Sequence, residues 1–440
     1  MNQAGSTALL TDKYELTMLS AALRDGTAGR RTTFELFARR LPDGRRYGVL
    51  AGIGRFLEAL SDFVFDDAAL ATVAGFADVA NLDATCDFLR GFRFGGDIDG
   101  YAEGELYFPG SPVLSVTGTF AECVLLETLA LSIFNHDTAV ASAAARMVSA
   151  AAGRPLIEMG SRRTHEQAAV AAARAAYIAG FAGTSNLEAL RRFGIPALGT
   201  SAHAFTMLHT QAGSGTDDWE QAAFRAQVAA LGVSTTLLVD TYDVQRGVAN
   251  AIAAAGTGLG AVRIDSGDLG VLARQARDQL DALGATATRI VVSGDLDEYS
   301  IAALRAEPVD TYGVGTSVVT GSGSPTASMV YKLVEVDGLA VQKRSLRKES
   351  HGGRKAALRL SRPSGTVVEE LVYPAAQPPE VAEPSRVLTV PFVRGGQLLA
   401  QTDLEAARGL VAEGLHSLPW EGLALSHGEP AIPTRAVPLR

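Results

Sequence analysis

His203 closes the run IPALGTSAH (195–203), directly behind Gly, Thr and Ser. A neutral imidazole is both a nucleophile and a proton carrier near pH 7. Set on a small-residue loop, it can act as a nucleophile or move a proton; otherwise it is a hydrogen-bonded structural histidine. Three further patterns could handle anions. Gly160-Ser161-Arg162-Arg163 sets two guanidinium groups just past a strand-like run, where they can clamp a diphosphate bidentately or simply open a solvated helix. GVGTSVVTG (313–321) lets backbone N–H groups approach a phosphate, with Thr316, Ser317 and Thr320 as hydroxyl donors, or forms a plain tight turn. Arg263 and Asp265 alternate in VRIDSGD, so they share one face of a strand. The Asp265 carboxylate there can take ribose hydroxyls or hold Mg²⁺ through water.

Such groups act together only on a common platform, and the central chain repeats one punctuation: an apolar run, then small or acidic residues, then a helical segment. LIEMGSRR (156–163), AGFAGTSN (179–186), IPALGTSAH (195–203), TTLLVDTYD (235–243), AVRIDSGD (261–268), RIVVSGDLD (289–297) and VDTYGVGTS (309–317) all fit. Strands alternating with helices pair in parallel, and barrels of this kind keep their active sites at the C-terminal strand ends. The expected fold is α/β, with an irregular TIM-like α/β barrel of about seven strands. IPAL is expected as a buried parallel strand. Around it, residues 1–130 read as an N-terminal α/β domain, 131–335 as the barrel, and 336–440 as a segment packing on the N-terminal domain and the barrel. In the flanks, RTTFELFARRL and 92–118 are strand-like, 121–152 is helical, and the stretch after 335 turns basic, then proline-rich, then returns to strand and helix.

Composition narrows the classes. With 440 residues, 47% of them hydrophobic, the chain can bury a large core. A formal charge of −9 argues against a duplex nucleic-acid binder. No lysine lies between Tyr14 and Tyr331, so a Schiff-base or pyridoxal-phosphate reading of the central chain lacks its nucleophile. Cys86 and Cys123 fit neither a disulfide framework nor a zinc spacing, and His136, His165, His209, His351, His416 and His427 lack metal-ligand spacing. GTGLG (256–260) precedes a strand instead of following one, and there is no Walker loop. Without a basic leader or a long apolar run, a cytoplasmic location away from membranes is expected.

TDKYELTM (11–18), EMGSRRTHE (158–166), GTSAH (199–203), VDTYD (239–243), VRIDSGDL (262–269) and YGVGTSVVTG (312–321), in this order, resemble the nicotinate phosphoribosyltransferase family. The resemblance covers roughly residues 8 to 335 and departs at Met159, where many relatives carry an aromatic residue. It implies a discontinuous α/β domain formed by the N- and C-terminal segments. The implied reaction joins nicotinate to phosphoribosyl pyrophosphate, giving nicotinate mononucleotide and pyrophosphate in NAD salvage, coupled to ATP hydrolysis with Mg²⁺. His203 falls on the family's phosphohistidine. Tyr14 would stack on the pyridine ring from the neighbouring subunit of a homodimer with shared sites, and Thr200 and Arg263 would contact nicotinate. Arg162 and Arg163 would hold donor phosphates, Asp265 the ribose or its Mg²⁺, and the Gly315–Thr316 turn the 5-phosphate. Ser185 stands where nicotinamide-using relatives carry aspartate, and so implies preference for nicotinate. A nicotinamide phosphoribosyltransferase and a non-catalytic nucleotide-binding protein on the same scaffold are the alternatives. A metal-dependent barrel hydrolase is disfavoured by the absent ligand spacing.

Overall fold

Short runs of β-branched and aliphatic residues ended by Gly, Ser or Asp become strands, and the segments after them become helices. The structure, a computed structural model, describes residues 5–76, 79, 81–343, 351–381, 384–399 and 402–437. It divides into two compact units, Met1–Ser142 with Ser324–Arg440, and Ala143–Gly323. In the second unit the strands are β1 (Leu156–Glu158), β2 (Gly183–Thr184), β3 (Thr236–Leu238), β4 (Ala261–Ile264), β5 (Arg289–Ser293) and β6 (Thr311–Val314). They form one parallel sheet in the order β2-β1-β6-β5-β4-β3. Helices Glu166–Ile178, Val244–Ala255, Leu269–Ala282 and Glu298–Ala303 follow β1, β3, β4 and β5.

Residue alternation gives the sheet two faces. Val262, Ile264, Ile290, Val292, Tyr312 and Val314 are fully buried. Their neighbours Arg263, Val291 and Thr311 line an interior cavity. Burying each Val or Ile contributes about 1.5–3 kcal/mol, and a one-residue slip of β4 would force Arg263 into the apolar layer. That fixes which way Arg263 points.

The expectation of about seven strands resolves into six strands and one isolated bridge, between Thr184 and Ala197. IPAL is therefore not a buried strand. Only Ile195 is buried; Pro196, Ala197 and Leu198 are exposed. Pro196 has no N–H to give a ladder, so its carbonyl accepts from Thr184 and Leu198 N donates back, and pairing stops there.

Six polar residues of the strand-end punctuation, five of them acidic, separate into two groups. Asp243, Asp268 and Asp297, together with Asn186, cap the helices that follow by accepting a backbone N–H at 2.8–3.2 Å. Asp240 and Asp265 cap nothing and remain for other work.

In the first unit, strand Arg31–Ala38 pairs antiparallel with both Leu114–Thr119 and Met329–Val336, and Asp97–Tyr101 pairs with Thr389–Arg394. Segments from both ends of the chain thus share one seven-stranded sheet. Phe34 stacks on Tyr331 at 4.9 Å in its core, beside Phe56 and Phe134. Helices Phe120–Val124 and Glu127–Ala151 occupy the stretch expected to be helical. A four-stranded sheet of C-terminal segments is tied in by buried Arg359, which bridges Glu105 and Glu370 at 2.6 Å each. Of the basic stretch after 335, residues 344–350 lie outside the described residues, as do 382–383 of the proline-rich one.

Candidate active site

The chain brings His203, Asp240, Arg263, Asp265 and Ser293 together at the C-terminal ends of β3, β4 and β5. Arg263 donates to Ser293 Oγ from Nε and to Asp265 Oδ1, both at 2.8 Å. Ser293 also donates to Asp265 Oδ1. Burial alone would push the Asp265 carboxyl up, but the Ser293 hydroxyl, the Arg263 guanidinium and nearby His203 together hold it below its ordinary value. Asp265 is therefore an anion at neutral pH, with Oδ2 left toward His203.

His203 opens the short helix His203–Met207 and is half-buried. Its Nδ1 lies 3.2 Å from Thr241 Oγ1, which orients the ring. Nε2 then faces two carboxylate oxygens, Asp240 Oδ1 and Asp265 Oδ2, at 4.0 Å each. The Asp240 side chain is 2% exposed. Its Oδ2 accepts from Asp265 N at 2.8 Å and from Ser266 Oγ at 2.9 Å, while Oδ1 has no hydrogen-bond partner among the described residues. A buried carboxylate oxygen without a donor is costly, and such exceptions call for an account. Here it points at the imidazole.

A second cluster shapes the loops after β1, β2 and β6. Glu158, the last residue of β1, is fully buried; it accepts from Gly160 N and from the Thr184 hydroxyl. Burial pushes its carboxyl up, against those two hydrogen bonds. Its backbone carbonyl accepts from Ser185 N at 2.8 Å, and Asn186 Nδ2 donates to Ser161 Oγ at 3.0 Å, so the two loops are stitched together. A Cβ on Gly160 would lie 2.2 Å from Val319 Cγ1 and 2.9 Å from Gly315 O, so only glycine lets the turn at Gly315–Thr316 sit against this loop. Arg162 and Arg163 are exposed just beyond it.

Beneath the mouth, a cavity of about 350 Å³ is lined by Arg263, Met159 and Thr200 and continues along the inward faces of the strands. Ser185, Arg162, Arg163, Gly315, Thr316, Asp265 and His203 do not line it. Tyr14 belongs to the other unit, on helix Lys13–Asp25, and is 43% exposed. Burial and the adjacent Glu127 and Glu15 raise its hydroxyl pKa, so it stays protonated. Among the described residues no group of three or more His, Cys, Asp or Glu could hold a metal, and no helix is long and apolar enough to cross a membrane.

Asp240, Ser293, Glu158 and Thr241 were not singled out from sequence. Asp240 had a usable signal, since it stands just past β3 as Asp265 does past β4. Ser293 and Glu158 had none, because a serine ending one strand and a glutamate ending another look like ordinary punctuation.

Two family descriptions match the chain: the nicotinate phosphoribosyltransferase N-terminal domain over residues 9–135, and the nicotinate phosphoribosyltransferase family over residues 155–364. The chain is 75% identical to nicotinate phosphoribosyltransferase pncB1 of Mycobacterium tuberculosis, over 98% of its own length and 95% of that protein's. It is 37% identical to nicotinate phosphoribosyltransferase of Bacillus subtilis, over 76% of its own length and 67% of that protein's. The crystal structure of human nicotinic acid phosphoribosyltransferase superimposes with a TM-score of 0.81 at 28% identity, covering 97% of both chains. With family matches spanning most of its length and relatives of this identity, the chain belongs to the nicotinate phosphoribosyltransferase family.

Proposed function

We propose that the protein transfers the phosphoribosyl group of phosphoribosyl pyrophosphate to nicotinate, in NAD salvage, and couples this to ATP hydrolysis through a phosphohistidine at His203. The observation that carries the reading is the convergence of two free carboxylate oxygens on His203 Nε2. With Nδ1–H donating to Thr241, the Nε2 lone pair attacks the γ-phosphorus of ATP as its bond to the bridging oxygen breaks and ADP leaves. A phosphate there would face two anions, which fits a divalent cation held by Asp240 and Asp265. Mg²⁺ commonly binds through one or two carboxylates plus substrate phosphates, and it would neutralise the phosphate charge.

In the transfer step the pyridine nitrogen forms a bond to ribose C1 as the C1–O bond to pyrophosphate breaks; no proton moves. The protein's task is to place two anions and stabilise a third. Arg263, turned into the cavity beside Thr200, complements the nicotinate carboxylate. Arg162 and Arg163, exposed and close in sequence to the stitched loops, receive the pyrophosphate, and the Gly315–Thr316 turn receives the 5-phosphate. Ser185 is neutral and favours nicotinate over nicotinamide.

The finer architecture follows the same reading. One cavity touches Ala182 and Leu198, beside β2, and also Thr236 of β3, at opposite edges of the sheet. Five strand spacings of about 4.8 Å would separate those edges in a flat sheet, which supports curling into an irregular barrel. Exposed Leu187, Leu190, Met207 and Leu208 support a homodimer covering this side, with Tyr14 of the neighbouring subunit stacking on the ring. A cytoplasmic enzyme fits the reduced cysteines.

The test is product analysis with phosphoribosyl pyrophosphate and Mg²⁺, comparing nicotinate, nicotinamide and quinolinate, with and without ATP. Nicotinate mononucleotide and pyrophosphate in equal amounts, increased by ATP, are expected. Preference for nicotinamide, or no nucleotide from any of the three, would contradict the assignment.

A further inference from the structure

An arginine offers an oxyanion two forks: Nε with Nη2 along its side, and Nη1 with Nη2 at its tip. Which fork the protein fills decides which one a ligand finds. Alternation puts Arg263 and Asp265 on one face at the end of β4, and Val291 and Ser293 on one face of β5. Because Val291 pairs with Arg263 and Val292 with Ile264, Ser293 falls beside Asp265. The three side chains close a ring. Arg263 donates from Nε to Ser293 Oγ and from Nη2 to Asp265 Oδ1, both at 2.8 Å, and the Ser293 hydroxyl donates to the same Oδ1. Each bond has a fixed direction, since a guanidinium only donates and a carboxylate only accepts. Oγ and Oδ1 thus stand where the two oxygens of one carboxylate would, and they fill the side fork. Nη1 has no partner among the described residues, so the tip fork is open. Arg263 lines the cavity whereas Ser293 and Asp265 do not, so the filled fork is turned away from the ligand space. Ser293 is 3% exposed and can act only through its neighbours. Asp265 alone would not hold this arrangement. The Arg263 side chain is 15% exposed, and without Oγ its Nε–H loses its acceptor. The guanidinium then gains from turning until Asp265 takes two of its N–H groups bidentately. That turn moves the tip off the cavity and draws Asp265 Oδ2 away from His203.

We propose that Ser293 is a positioning residue that aims Arg263: with Asp265 it fills the side fork, leaving the tip fork to grip a planar carboxylate in the cavity. The inference rests on the reading of Arg263 as the nicotinate contact. Under it, Ser293 sharpens the choice of acid over amide, because a carboxylate has an acceptor oxygen for each N–H of the tip fork and a carboxamide has only one.

The test uses the full-length protein with nicotinate and nicotinamide as probes, their binding measured by calorimetry with Mg²⁺ and pyrophosphate present so that no transfer occurs. Ser293→Ala is expected to weaken nicotinate roughly tenfold and nicotinamide by less than about twofold. At saturating phosphoribosyl pyrophosphate the KM for nicotinate should rise in step, by more than kcat falls. Ser293→Thr, which keeps the hydroxyl, should restore most of the nicotinate affinity. Ser293→Cys, close to serine in shape but with a weak S–H donor, should behave as Ser293→Ala does; it decides if the alanine variant does not fold. Unchanged nicotinate affinity in Ser293→Ala overturns the inference. An equal loss for both pyridines, or no recovery in Ser293→Thr, also overturns it, since either makes the serine a packing group. Binding separates this inference from the reaction itself. Nicotinate affinity that depends on Ser293 in a protein forming no nucleotide supports the aiming role and contradicts only the transfer. Turnover with an affinity independent of Ser293 contradicts only the aiming role.

Discussion

Replacing Asp240 by Asn isolates the charge that faces His203. The amide oxygen of Asn can keep both hydrogen bonds now accepted by Oδ2, from Asp265 N at 2.8 Å and Ser266 Oγ at 2.9 Å. The amide nitrogen would take the place of Oδ1, which has no partner, so folding loses no recorded hydrogen bond. Stability should change by less than about 1 kcal/mol, since a buried, partly unsatisfied carboxylate gives way to a neutral isostere. The electrostatic effect is larger. A unit charge about 4 Å from another, at an effective dielectric near 20, is worth about 4 kcal/mol. The His203 side chain is 37% exposed, so screening must reduce that figure. Roughly 1.5–3 kcal/mol remains, a ten- to hundredfold loss of rate. The assay is the initial rate of ATP-dependent enzyme phosphorylation, with thermal unfolding measured on the same preparation. A wild-type phosphorylation rate would refute the electrostatic role. A fall of many degrees in Tm would instead make Asp240 a structural group.

Three further outcomes follow from the same geometry. Gly160→Ala must displace Val319 or the Gly315 carbonyl, costing about 1–3 kcal/mol and raising the KM for phosphoribosyl pyrophosphate several-fold; Gly258→Ala, with open space around its Cβ, should do neither in the same assays. Glu220 is buried with Oε1 unpartnered among the described residues, and burial first, then Asp217, Asp243 and Asp240, push its carboxyl up from 4.5 to about 7. The folded state thus holds a proton that the unfolded chain releases, so the stability it contributes is complete below about pH 4.5 and is lost as pH rises through about 7. Glu220→Gln, which keeps the Asn250 hydrogen bond, should leave Tm unchanged at pH 5 and raise it by about 2–4 °C at pH 8; equal shifts at both pH values would contradict this. Ser185→Asp should raise the nicotinamide-to-nicotinate ratio of kcat/KM by roughly tenfold, the equivalent of about 1.4 kcal/mol, and an unchanged ratio would remove Ser185 from substrate choice.

The sheet was legible because its signal is local. Aliphatic runs such as LLV and RIVV, each stopped by a small or acidic residue, can be read without knowing their partners, and six of the seven became strands. IPAL misled because its proline limits pairing, a property of neighbouring backbone and not of hydrophobicity. The Arg263–Asp265 pair was visible as a period-two pattern and forms a 2.8 Å ion pair. Asp240 was harder. From sequence its carboxylate equals that of Asp243, three residues on; only the fold makes one a helix cap and leaves the other facing an imidazole. Glu158 was illegible for a similar reason, because its work is to hold two loops that are far apart in sequence.

Phosphorylation of the enzyme itself reads the role of His203. With γ-labelled ATP, the wild-type protein should take up close to one equivalent of acid-labile, base-stable phosphate per chain. His203→Ala should take up none while still forming some nicotinate mononucleotide without ATP. Stoichiometric labelling of the His203→Ala protein would contradict the site built here around His203 Nε2.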